Sequence, residues 1–181
     1  MKEPIERAGC SWHGFDLVPT SIEVLAWNLA NPCPVQTPRP GVVLLLDVIE
    51  HLVNPGLALT HIAQLLPPGG RLVMTMPNPR WSRSRLHALL YGNPACFTQS
   101  DLDLNGHVFT PWPHIMIRML HDAGFEVEEY VTLDGRYGLP GRPFSLRYPI
   151  RLAHALVLML LERLDPSACG MSYGLVARIP A

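Results

Sequence analysis

With 181 residues the chain suffices for one domain with a sizeable core. Its 14 Lys+Arg stand against 15 Asp+Glu, so no overall field draws it onto nucleic acid or an acidic membrane, and dedicated DNA binding is excluded. An apolar fraction of 48% fits a folded protein, and 19 prolines point to interrupted elements rather than disorder.

In chain order, "SWHGFDLV" (Ser11 to Val18) reads as a short strand. Thr20 and Ser21 then cap a helix over "SIEVLAWNLA", where Ile22, Leu25, Ala26 and Leu29 share one face. The proline-rich connector Asn31 to Pro40 is not helical. "GVVLLLD" (Gly41 to Asp47) is a continuous apolar run, as expected of a strand covered on both faces. "NPGLALTHIAQLL" forms a helix with Leu57, Ile62, Leu65 and Leu66 as its buried stripe; Pro67 ends it and "PGG" turns the chain into the strand "RLVMTMP". Strand, helix and strand with short links call for a right-handed parallel crossover.

The distal half continues the alternation less regularly. "WSRSRLHALLYG" (Trp81 to Gly92) predicts a helix, and residues 80–112 as a whole read as a cover or insertion within a single domain, 1–181. A helix from about Pro113 stops at Gly124, and a strand runs from Phe125 to Leu133. Asp134 to Pro149 reads as a loop. "LAHALVLMLLERL" (Leu152 to Leu164) is apolar nearly all round, yet it falls far short of the roughly 20 residues that span a bilayer. It is a buried or partner-covered helix, with a homodimer contact or interfacial attachment as the alternatives. "SYGLVARIP" (Ser172 to Pro180) supplies a last strand, expected antiparallel to the Phe125 strand. The fold class is α/β.

Cys10, Cys33, Cys96 and Cys169 are scattered, form no Cys-x-x-Cys pair and follow no signal peptide, which is the pattern of reduced thiols in a cytoplasm. In an open parallel sheet ligands sit beyond the carboxyl ends of the strands, so Asp16, Asp47, Glu50, His51, Pro77 and Asn78 are expected on one rim.

"DVIEHLVNPGLALTHIAQLLPPGGRLVMTMPN" resembles the fourth strand, helix and fifth strand of class I S-adenosylmethionine-dependent methyltransferases, with the pattern D-V-hydrophobic-E-H, then L-hydrophobic-P-G-G, then P-N. The resemblance covers roughly Gly14 to Ile179 and is nearest to the broad group acting on quinones, sugars and other small molecules. It implies a Rossmann-like, mostly parallel sheet with an antiparallel C-terminal strand, S-adenosylmethionine as cofactor with S-adenosylhomocysteine as product, and a small-molecule methyl acceptor. No nucleic acid and no membrane span are implied. Asp16, in "HGFD", maps to the family's ribose-binding acid, with Leu17 beside it; Asp47 and Val48 map to the cofactor cleft.

The resemblance implies a first strand and a Gly-x-Gly-x-Gly loop before the Asp16 region, where the given sequence has only "MKEPIERAGC", so an N-terminally truncated form of the fold is expected; the Asn31 to Pro40 connector is too short for the usual third strand plus the acidic loop that flanks adenine. The Asp16 strand and the Val42 strand are therefore expected to pair directly, since unpaired main-chain groups would cost roughly 1 to 3 kcal/mol each if buried.

The remaining candidates each have two readings. Glu50 and His51 touch substrate or act as an acid–base pair, or else they cap a helix entrance. His107, before "F-T" as in the family, contacts substrate as a base or makes a structural hydrogen bond. Asn78 orients a substrate group or forms a turn, and Trp81, Arg83 and Arg85 bind an anionic or aromatic substrate or are simply solvated. His114 with His121, and Asp101 with Asp103 and His107, lack further ligands at metal-binding spacing, so no metal is expected. Two functions follow. One is methyl transfer to a small molecule; the other is a methyltransferase-like binding or subunit-interaction module without catalysis.

Overall fold

The computed structural model describes residues 2–34, 39–139, 141 and 147–181. A short helix, α1 (Lys2–Arg7), leads to a two-stranded parallel ribbon of β1 (Gly14–Asp16) and β2 (Val24–Ala26). Then follow β3 (Val42–Leu46), α2 (Pro55–Leu65), β4 (Arg71–Pro77), α3 (Ser82–Tyr91), α4 (Gln99–Asn105), α5 (Pro113–Asp122), β5 (Glu126–Leu133), α6 (Tyr148–Leu164) and β6 (Ser172–Arg178). Four of these strands form the main sheet in the order β3-β4-β6-β5.

β3 and β4 are parallel, and β6 runs antiparallel to both its neighbours, so β3, β4 and β5 point one way and β6 the other. This is the expected α/β sheet, mostly parallel with an antiparallel C-terminal strand, and the Phe125 strand pairs with the last strand as the sequence predicts. β6 reaches its place between β4 and β5 because its buried Tyr173, Leu175 and Ala177 share one face of the sheet, matching Leu72, Met74 and Met76 on β4, while Ser172, Gly174 and Val176 take the other, less covered face. These residues meet Leu59 and Ile62 of α2 and Met116 and Leu120 of α5 in one apolar cluster. α2 starts where expected: the Asn54 side chain accepts the Leu57 N–H, and Pro55 sits in the first turn, where its missing N–H costs nothing.

Four expectations fail. Leu57, expected in the buried stripe of α2, is 38% exposed, and Ala58, Leu59 and Ile62 are buried instead, because they face the sheet. Residues 21–30 form no helix; Val24–Ala26 is a strand, and Ile22, expected on the buried face, is 99% exposed. Only a short run was available there, and β-branched and aromatic residues next to β1 favour pairing over a helix this brief. Nor does β1 pair with β3. β1 takes β2 as its partner, and the ribbon joins the core through Phe15 and Trp27, whose rings meet edge to face at 5.2 Å. Finally, β3 is an edge strand whose Val42 and Leu44 are 53% and 42% exposed, so it is not covered on both faces.

The first strand is shorter than expected, Gly14–Asp16 within the Ser11 to Val18 segment, while the helix and strand boundaries from Gly41 to Leu133 lie within a few residues of those expected. The connector has no helix at 31–34 or 39–40; residues 35–38 lie outside the described residues, as do 140 and 142–146 of the expected Asp134 to Pro149 loop. α6 begins at Tyr148, inside the end of that loop. It buries Ala155 and Leu158 apart from the main cluster, packs against α3, and leaves Leu156, Val157, Leu160 and Leu164 exposed. Among the described residues no helix is long and apolar enough to cross a membrane.

Candidate active site at the strand tips

The strand tips are built from the turn at Asp47. Asp47 leaves β3 in the left-handed region (φ 51°), which Asp tolerates better than most side chains, while its N–H still reaches the Thr75 carbonyl at 2.9 Å. The chain then winds through a short 3-10 turn, Ile49–His51, that buries Ile49 and Glu50. A cavity of about 300 Å³ lies here. Asp47, Glu50 and Pro77 line it from the ends of the parallel pair; Ala95, Cys96, Asp101 and His107 come from the segment after α3, and Met171 and Ser172 from the entry to β6.

The segment after α3 is held over the tips by specific bonds. Thr98 caps α4 by accepting the Asp101 N–H while the Asp101 carboxylate takes the Thr98 N–H, a reciprocal capping box. Burial works to raise the Asp101 carboxyl, but its bonds to the Thr98 hydroxyl and N–H hold it below the usual range. Farther along, the Phe109 N–H donates to the Glu50 carbonyl at 3.0 Å, and the buried Tyr173 hydroxyl donates to the Pro111 carbonyl at 2.6 Å. These two bonds bring His107 beside the Glu50–His51 turn.

Glu50, His51 and His107 thus form one cluster, with a ligand-competent atom on each lying within 4.8 Å of the others. The two imidazoles meet edge to face, centroids 5.1 Å apart. His107 Nδ1 lies 2.8 Å from the Cys96 carbonyl, which can only accept, so Nδ1 carries the proton and Nε2 of the neutral ring keeps its lone pair. Glu50 is 1% exposed, and its Oε2 has no hydrogen-bond partner. An orphaned buried acceptor costs roughly 1–3 kcal/mol, more when ionised. Burial accordingly pushes the Glu50 carboxyl up, although its own backbone and the nearby His51 pull the other way. Cys96 is pushed up as well, mainly by burial, so it is a poor thiolate.

The other predicted residues lie differently. Asn78 is fully buried, but its amide serves the fold: Nδ2 donates to the carbonyls of Ser167, Cys169 and Gly170, and Oδ1 accepts the Arg80 N–H. Arg85 binds the Arg80 carbonyl, Asp165 and Ser167, tying α3 to the turn after α6. Trp81 stacks on Tyr137 at 5.9 Å with the Arg83 guanidinium over its ring. Val48 packs on the core cluster. Asp16 and Leu17 are exposed on the ribbon, where Asp16 Oδ1 accepts the Val18 N–H, and neither lines the cavity. Sequence reasoning missed Ala95, Cys96, Met171 and Ser172 as lining residues. Only the turn-rich composition of the segment hinted that it covers something.

A family model described as a methyltransferase domain matches residues 1–130. The chain is similar in structure to an S-adenosylmethionine-dependent methyltransferase from Archaeoglobus fulgidus, with a TM-score of 0.63 and 15% identity over 97% of this chain and 79% of that one. It is also similar to a chain in the complex containing the Trm112 methyltransferase activator of Haloferax volcanii, with a TM-score of 0.55 and 16% identity over 90% of this chain. It spans 65% of the length of that second chain. At such identities the likeness establishes the fold alone. Among curated proteins, none matches the sequence.

Proposed function

The chain belongs to the methyltransferase-domain family, and on that premise we propose that it transfers the methyl group of S-adenosylmethionine to a small molecule held beside Asp47. The observation that carries this reading is the cavity at the carboxyl ends of β3 and β4, where a parallel sheet of this class receives its ligand, with an acid–imidazole cluster in its wall.

The residues fit the cofactor in part. A cavity of about 300 Å³ is at the low end of ligand pockets and would hold such a cofactor only in part. Asp47 and Val48 would line the cofactor cleft, and the exposed Asp16, with Leu17 beside it, would offer its carboxylate to the ribose hydroxyls. When bound, S-adenosylmethionine supplies an electrophilic methyl on a sulfonium, which needs little from the protein beyond alignment and dryness.

The chain's own residues do that work. The 95–107 segment excludes water from the strand tips, and Asp101, Met171 and Ser172 confine the acceptor. His107 Nε2, its ring fixed by the Cys96 carbonyl, stands ready to take the proton of an acceptor O–H or N–H; exposed His51 is the alternative base. Glu50 steadies the resulting imidazolium. Reduced cysteines and a cytoplasmic location complete the reading, supported by four free thiols.

A second reading, an interaction module, is favoured by the open apolar face of α6, where Leu156, Val157, Leu160 and Leu164 are exposed. Calorimetric titration with S-adenosylhomocysteine separates them. Saturable binding, weakened by Asp47→Ala and Asp16→Ala, supports methyl transfer; no heat at millimolar ligand, with a stable dimer in sedimentation, supports the module.

A further inference from the structure

Glu50, His51 and His107 have the composition and arrangement of a metal site, and we propose that they bind a divalent first-row cation of the zinc type at the wall of the cavity. The inference rests on the cavity being the reaction site only for its role, not for the binding itself.

Three observations converge. The donor set is two imidazoles and one carboxylate, which suits zinc, and three protein ligands leave an open position, the pattern of catalytic rather than structural sites. The donor atoms lie within 4.8 Å of one another; tetrahedral zinc with bonds near 2.0–2.1 Å brings its ligands to roughly 3.3 Å apart, so a small inward turn of the exposed His51 ring closes the set. The buried Glu50 Oε2 has no partner in the protein, and a cation supplies one. His107 is pre-set for the task, because the Cys96 carbonyl takes its Nδ1 proton and leaves Nε2 as the ligand.

Sequence spacing hides this site: His107 is 56 positions from His51, and the Phe109 to Glu50 and Tyr173 to Pro111 bonds make them neighbours. Both Glu50 and His107 also line the cavity, so the open position faces the bound acceptor. There a cation would hold the acceptor's oxygen or nitrogen and lower its proton affinity, leaving the two rings as ligands instead of bases.

The test is calorimetric titration of the chelator-treated full chain with zinc chloride at neutral pH, beside His51→Ala, His107→Ala and the control His114→Ala, which lies on α5 away from the cluster. One zinc per chain is expected, weakened by more than about 100-fold in each cluster variant, since losing a ligand exceeds the loss known for second-shell partners, and unchanged in the control. Absence of binding in the wild type, or cluster variants that bind zinc as tightly as the wild type, overturns the proposal. If His107→Ala does not fold, His51→Ala decides alone, because His51 is exposed. Parallel titration with S-adenosylhomocysteine keeps the two readings apart: its binding without zinc binding defeats the metal site only, and zinc binding without it supports the metal site while defeating methyl transfer.

Discussion

The two β structures of this chain are held by different means. The main sheet is locked by buried hydrogen bonds and long pairing: the Asn78 amide spans three carbonyls, the Tyr173 hydroxyl reaches Pro111, and β6 pairs along its whole length with both neighbours. The β1–β2 ribbon rests on two aromatic rings, the Trp27 indole bonded to the Asn31 carbonyl, and a bond between His61 and the Leu29 carbonyl. Cavity and acid–imidazole cluster belong to the first structure; the expected ribose acid belongs to the second. The proposed chemistry therefore rests on the firmly held structure, and the proposed ribose-binding Asp16 on the lightly tethered one.

The largest effect expected to break this contrast is Gly170→Ala. Gly170 has φ 75°, and a Cβ there would fall 1.7 Å from the Leu133 carbonyl oxygen, so the turn before β6 cannot accept it. A loss of about 3–5 kcal/mol in denaturant unfolding is expected. Asn78→Ala follows at about 2–4 kcal/mol, because it strips the buried Cys169 and Gly170 carbonyls and the half-buried Ser167 carbonyl of their donor. Leu158→Ala, on the covered face of α6, should cost about 2–5 kcal/mol, whereas Leu160→Ala on the open face should stay within about 0.5 kcal/mol.

Smaller effects sharpen the comparison. Amide hydrogen exchange at Phe15 and Leu25 should proceed through local opening, well before Leu175 and Met74 exchange; equal protection would erase the distinction. Glu50 supplies a pH dependence. Its folded-state pKa is raised, so the folded form binds the proton more tightly; the associated stability is present below the ordinary Glu range and is lost as pH rises through the raised value. With chelator present, Glu50→Gln should therefore raise the melting temperature at neutral pH and change it little under acid.

Much of the main sheet was legible because its signals were long and mutually consistent. The apolar run ending at Asp47, the Asn54-Pro55 helix start, and the Pro-Pro-Gly-Gly turn each fix an element, and together they fix a parallel crossover. Residues 21–30 were not legible. Helical spacing of a few apolar residues competes poorly with pairing to an adjacent strand, and nothing local reveals which partner wins. At the site, Asp47, Glu50 and His51 could be read from the turn itself. His107 could be placed only by a resemblance, and its neighbours Cys96 and Met171 not at all, since long-range backbone bonds and burial decide those contacts. Asn78 and Arg85 show the opposite failure: polar residues near a strand tip read as binding groups, and their bonding capacity is directed to the fold.

The most direct test of the cavity as the donor site is hydrogen exchange measured with and without S-adenosylhomocysteine. Slowed exchange at residues 47–51, 77–78 and 95–107 is predicted, with a weaker change at 15–18. Slowing confined to segments away from the strand tips, or no change under saturating ligand, would contradict the account.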